Sequence, residues 1–220
     1  MKYDLAIFDM DGTIIDSMWI WKDLVVDSFK RNGIDIPENF EQAIFSMTFL
    51  ESAQYYIEVT KEITTPEQLI EEWSLNARLM YKNDITLKPF TEEFLIYLKS
   101  LGITICLTTS NFKDIAVMIL KRFSLLSYFD SITVTQEVTR SKSFPDVFLI
   151  TASKHHVNPE KCIVFEDSYY AAQGAKAAGM AVVGVYDEYA KHFEDDFRQL
   201  ADSYVYSFEE LYKNDEFFKG

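Results

Sequence analysis

The chain has 220 residues, enough for one large domain or a core with an insertion, and 48% of them are apolar, which supports a substantial core. With 21 Lys and Arg against 35 Asp and Glu, its net charge of −14 repels polyanions and argues against nucleic acid and anionic membrane as partners. A small anionic ligand is compatible with that field only where a local cation receives it.

The absence of a run of about 18 apolar residues predicts no membrane span. The N-terminus enters a strand almost at once, so no signal peptide is expected. Cys106 and Cys162 each lie in an apolar, strand-like run, which predicts buried free thiols in a reducing cytoplasm. A monomer is the expected state.

Residues 5–8 read as a buried parallel strand that ends at two carboxylates, Asp9 and Asp11, followed by Gly12 where the backbone turns. Alone, such a pair reads as a solvated turn. A calcium loop is excluded, because its fifth and sixth positions, an oxygen ligand and Gly, would be Thr13 and Ile14. No dinucleotide-binding glycine pattern follows the strand. The pair stands where open α/β sheets bind ligands, just beyond a strand's carboxyl end.

Residues 17–32 read as a helix stopped by Gly33, and residues 40–59 as one or two more. Thr65, Pro66 and Gln68 predict a capped helix start. No strand pattern appears between Ile14 and Ile103, so an all-helical block separates the first and second strands.

Helices and strands then alternate. Thr91 is expected to cap a helix ending at Gly102, with a strand at 103–108 and a helix at 112–123. A strand at 132–135, a helix from Pro145 to about His156 and a strand at 161–165 follow. The chain continues with a helix at 169–178, a strand at 181–185, a helix near 189–200, a short run at 204–205 and a capped helix from Ser207 with Glu210. This alternation predicts an α/β fold, a parallel sheet with helices on both faces.

Three further pieces follow strands as Asp9 and Asp11 do. Thr108, Thr109, Ser110 and Asn111 precede a helix, where one of them is expected to cap and the free N–H groups suit an anion. Lys142 lies before a Pro-started helix, where a cation meets a phosphate, with Arg140 as its rival. Glu166 and Asp167 end an apolar strand; Asp167 or Ser168 suits a cap, and with Asp9 and Asp11 the acids form a hard-oxygen set for Mg²⁺. Together the pieces suit phosphoryl transfer: a carboxylate attacks phosphorus, a second acid moves protons, and a lysine and a hydroxyl hold the phosphoryl oxygens.

These stretches, with Asp16 and Ser17 closing the first and residues 175–179 following the last, resemble the four motifs of the haloacid dehalogenase superfamily. The helical insert resembles that superfamily's first-type cap, in the β-phosphoglucomutase and phosphoglycolate phosphatase branch. The resemblance implies a Rossmann-like core at residues 1–16 and 87–220 and a helical cap at 17–86. It implies Asp9 as nucleophile, Asp11 as general acid and base, and Thr109 and Lys142, with Ser110 and Asn111 beside them, on the transferring phosphate. Mg²⁺ would be held by the Asp9 carboxylate, the Asp11 carbonyl and Asp167, with Glu166 as ligand or just outside. Ser143 stands where the family often has Pro.

The implied activity is hydrolysis of a small phosphorylated metabolite. A phosphomutase is the alternative, but its hinge-helix His corresponds to Trp21 here, and residues 44–50 carry no basic residue. Thr13 also matches the phosphatase form of the first motif. A non-catalytic phosphate-binding relative is disfavoured by the presence of both Asp9 and Asp11.

Overall fold

The structure, a computed structural model, describes residues 2–37, 49–214 and 217–218. The chain packs as two compact units, one of Met1–Asp16 with Thr86–Gly220 and the other of Ser17–Ile85.

The first unit is built on six parallel strands: β1 (Leu5–Phe8), β4 (Thr104–Thr109), β5 (Ser131–Val134), β6 (Cys162–Glu166), β7 (Ala181–Val185) and β8 (Ser203–Val205). Their order is β5-β4-β1-β6-β7-β8. β1 is therefore central, Ile7 lying beside Cys106 of β4 and Val164 of β6. The strand order reverses at β1, which opens a crevice at its carboxyl end.

The pleat sends alternate β1 residues to opposite faces. Leu5 and Ile7 join a core with Val147, Phe148 and Ala152 of α6 (Asp146–Lys154) and Ala172 and Ala175 of α7 (Tyr169–Ala177). Phe8 turns the other way and stacks on Phe165 of β6 at 4.4 Å, with Phe94 of α4 (Thr91–Ser100) and Phe208 of α9 (Phe208–Lys213) edge-on around it. Near-continuous apolar strands follow from this two-sided burial. The remaining helices of this unit are α5 (Lys113–Arg122) and α8 (Glu194–Leu200).

The second unit comprises α1 (Trp19–Arg31), α2 (Phe49–Thr60) and α3 (Pro66–Asn83). Thr65 and Gln68 form the expected reciprocal capping box at the start of α3. Its interior is polar as well as aromatic: Trp73 donates Nε1–H to Ser28 Oγ at 2.8 Å, and Tyr56 donates its hydroxyl to the Ser28 carbonyl at 3.0 Å. These bonds satisfy the polar edges of two otherwise fully buried rings.

Three local expectations are revised, and a fourth is met in the part that is described. A two-residue antiparallel pair, β2 (Ile15–Asp16) with β3 (Thr86–Leu87), lies in the stretch expected to hold no strand. Elements this short leave no alternation to read. Thr91 is the first helical residue rather than the cap; its hydroxyl donates to the Lys88 carbonyl at 2.8 Å, and Phe90 before it takes the left-handed conformation. The helix expected from residue 189 begins only at Glu194, after a tighter turn at Lys191–Phe193. Of the helical stretch expected at 40–59, α2 accounts for the part from Phe49, and residues 40–48 lie outside the described residues.

Both thiols are free and buried, and burial pushes Cys106 up to about 11 and Cys162 up to about 12. We expect neither to react with a disulfide reagent at pH 8 in the native protein, at rates on the order of 100-fold below a free thiol. Both react once the chain is unfolded in guanidinium, and fast native labelling of either would contradict its placement. Among the described residues, no helix is long and apolar enough to cross a membrane.

Candidate active site

The carboxyl ends of β1, β4 and β6 meet at the crevice. Asp9 follows β1 directly, and its N–H is held by the Phe165 carbonyl at 2.9 Å. Glu166 is the last residue of β6, and Asp167 follows it. Asp9, Glu166 and Asp167 each offer one oxygen such that the three lie within 4.8 Å of one another, and all three residues are buried.

Lys142 enters this acidic group from the loop before α6. Its Nζ donates to Asp9 Oδ1 at 2.6 Å, to Glu166 Oε2 at 2.5 Å and to the Thr108 carbonyl at 3.2 Å. Three acceptors match the three protons of an ammonium. Arg140, the sequence rival, is turned aside: it pairs with Asp146 at 2.7 Å and lies over the Phe144 ring.

Burial, the charge of Glu166 and the opposing pull of Lys142 leave the Asp9 carboxyl raised to about 7. Burial and the charges of Asp9, Glu166 and Asp187 raise Asp167 well above the usual carboxylate range. Burial also raises Glu166, against the pull of Lys142. Burial disfavours the Lys142 ammonium, but Asp9 and Glu166 outweigh it and hold the amine charged. The acids outnumber the one amine among them, a surplus that bound protons or a further cation would offset.

Asp11 stands apart from the three-acid group. Its Oδ2 accepts from Asn111 Nδ2 at 3.3 Å. The Asn111 amide is oriented from its other side, because Oδ1 accepts the Phe112 N–H at 2.8 Å. Thr109 is buried, and its hydroxyl accepts the Asn111 N–H at 3.0 Å. None of these polar residues caps α5, whose N-cap is Phe112; the loop needs them for its own turn. Ser110 is exposed at the rim, and its carbonyl accepts from Gln136. Ser168 caps α7, accepting the Ala171 N–H at 3.5 Å.

The contacts of two contributors escaped sequence reasoning. Thr13 donates its hydroxyl to Asp167 Oδ1 at 3.1 Å and is fully buried. Gly174 lies inside α7, where an isolated glycine is itself a signal of close approach. A Cβ there would stand 2.0 Å from the Lys142 carbonyl oxygen and 2.9 Å from that of Phe144. Both are backbone atoms, so the loop carrying Lys142 would have to move. Gly174→Ala is expected to lower stability by about 2 kcal/mol despite the better helix propensity of alanine. Its kcat/KM should fall about 100-fold, since a displacement near 1 Å costs that much. Urea unfolding with steady-state kinetics checks both, and wild-type activity would show that the loop yields freely.

The family model described as haloacid dehalogenase-like hydrolase matches residues 6–185. Fructose-1-phosphate phosphatase YqaB of Escherichia coli (strain K12) is 28% identical over 184 residues, covering 84% of this chain and 97% of that protein. The phosphorylated carbohydrates phosphatase of Thermotoga maritima is 26% identical over 177 residues, covering 80% of this chain and 82% of that one. A crystal structure from Thermotoga maritima, assigned as a β-phosphoglucomutase, matches with a TM-score of 0.82 at 25% identity, covering 97% of this chain and 99% of that one. The span from residue 6 to residue 185 begins in β1 and ends with β7, so it takes in the strands that carry the acidic group, and the chain belongs to the haloacid dehalogenase-like hydrolase family.

Proposed function

We propose that this protein is a magnesium-dependent phosphatase that hydrolyses a small phosphorylated carbohydrate through an aspartyl-phosphate on Asp9. The observation that carries this is the contact of a buried carboxylate, Asp9, with a buried ammonium, Lys142, at 2.6 Å beside two further buried acids. The chain is a phosphoric monoester hydrolase of its family, and the two bacterial phosphatases are named for phosphorylated carbohydrates.

In the first step an Asp9 oxygen attacks phosphorus and the ester P–O bond breaks. The leaving oxygen takes a proton from Asp11. In the second step water attacks the aspartyl-phosphate, Asp11 takes its proton, and Asp9 is released with inorganic phosphate. Lys142, giving up one of its three acceptors, and Thr109 hold the phosphoryl oxygens, and Asn111 keeps the Asp11 carboxylate turned toward its task.

Asp9 and Asp167 suit a hard, oxygen-seeking cation, and the surplus of buried acid is what such an ion offsets. Bound Mg²⁺ supplies screening of the repulsion between an anionic nucleophile and an anionic ester. Both Glu166 oxygens are engaged, by Lys142 at 2.5 Å and by the Ser168 N–H at 3.3 Å, which favours an orienting role outside the metal's immediate ligands. The insert Ser17–Ile85 acts as a cap that selects the substrate, the protein works as a monomer in the cytoplasm, and Arg140, paired with Asp146, takes no part in holding phosphate.

A panel of sugar phosphates assayed with and without Mg²⁺ tests this reading. Steady phosphate release from sugar monophosphates supports it. Isomerised product appearing only after priming with a sugar bisphosphate would transfer the assignment to a phosphomutase, the activity assigned to one solved relative.

The metal has a stability signature. Asp9 moves from 3.8 to about 7 on folding without metal, so between those values the folded chain binds more protons than the unfolded one. Metal-free stability therefore falls as pH rises through that window. Saturating Mg²⁺ removes the penalty and is expected to raise Tm by about 5–10 °C at pH 7.5, with a smaller gain at pH 5.5 where protons compete. Calorimetric scans at both pH values measure this, and equal gains would contradict it.

A further inference from the structure

A second lysine–carboxylate pair, its carboxylate buried, lies at the same end of the sheet. Lys88 Nζ donates to Asp187 Oδ2 and to the Tyr186 carbonyl, each at 2.9 Å. The two side chains are only 13% and 3% exposed. Asp187 follows β7, the neighbour of β6, with Gly184 of β7 beside Glu166 in register. Its other oxygen accepts the Tyr189 N–H at 2.9 Å.

A chain of contacts links the pair to Asp167. Thr13 donates to Asp167, the Ile14 carbonyl next to it accepts the Lys88 N–H at 2.9 Å, and Lys88 reaches Asp187. The register also brings Asp187, three residues past Gly184, to the strand end beside the one that Asp167 follows. The pair is itself neutral, so the surplus of acid over amine lies with Asp9, Glu166 and Asp167 around Lys142.

We propose that Lys88 and Asp187 are positioning residues of the site, a fixed ion pair that sets the charge balance against which the divalent cation binds. Resting on the proposed Mg²⁺ site, this gives the two partners opposite effects. Without the Asp187 charge, Lys88 stands unopposed and repels the cation. Without Lys88, the bare Asp187 carboxylate attracts it. A pair that only braced the fold would weaken binding whichever partner was lost.

The test is calorimetric titration of the metal-free protein with Mg²⁺ alone, with no substrate present. Asp187→Asn is expected to weaken binding roughly tenfold and Lys88→Met to tighten it by a similar factor, the scale of one charge acting across several ångströms at intermediate dielectric. The double variant returns to within about threefold of wild type, since its two charge changes cancel. Should Lys88→Met fail to fold, Asp187→Asn compared with the double variant carries the same contrast. Shifts of the same sign, or none, overturn the proposal while leaving the phosphatase reading intact. No binding by the wild-type chain overturns both.

Discussion

Asp9→Asn lowers kcat by about 10,000-fold or more, because the amide cannot form the acyl phosphate. The variant keeps its fold. In the wild type the Asp9 carboxylate is disfavoured by burial and by Glu166, so a neutral side chain of the same shape relieves the acidic group, and Lys142 retains Glu166 as a partner. The metal-free variant is therefore expected to melt no lower than wild type at pH 7.5. Acid quenching during turnover with a radiolabelled substrate traps protein-bound phosphate in the wild type and none in Asp9→Asn. Residual activity within tenfold of wild type would remove Asp9 from the role of nucleophile.

Lys142→Met damages stability and activity together. It strips the ammonium from between Asp9 and Glu166 and leaves two buried carboxylates uncompensated. Breaking a buried pair from one side costs about 3–5 kcal/mol, so unfolding in urea should shift by that amount in metal-free protein. Saturating Mg²⁺ should recover part of the loss, because it replaces one positive charge with another. Activity is expected to fall about 1,000-fold in kcat/KM, through the lost phosphate contact. Lys142→Arg should not restore it: the three acceptors lie 2.5–3.2 Å from a single nitrogen, and a planar guanidinium cannot present its donors that way. Full activity in the arginine variant would mean that only the charge counts.

Much of this site was legible from local patterns. Asp9, Glu166 and Asp167 each follow an apolar run that could only be a buried strand, and in a parallel sheet all such ends point the same way. The reciprocal caps at Thr65 with Gln68 and at Ser207 with Glu210 were readable because capping is a contact over three residues. The six-strand order confirms the α/β reading and puts β1 at the centre. Reading failed where the partner was distant or the element short. The two-residue β2 and β3 carry no periodicity, and the loop at Thr108–Asn111 was misread as a capping segment because Thr109 and Asn111 serve the loop's own turn and Thr108 pairs with Thr151.

The sequence by itself determined the alternation of strands and helices, the acids at strand ends, and the single lysine before α6, because these depend on spacing along the chain. Tertiary structure alone decided which acids share Lys142, why Gly174 must lack a side chain, and that Lys88 meets Asp187 at a separation of 99 positions. The physical reason is that burial turns a polar neighbour into a necessity. A charge removed from water must find its counterpart wherever the sheet brings one, and no pattern of spacing records where that is.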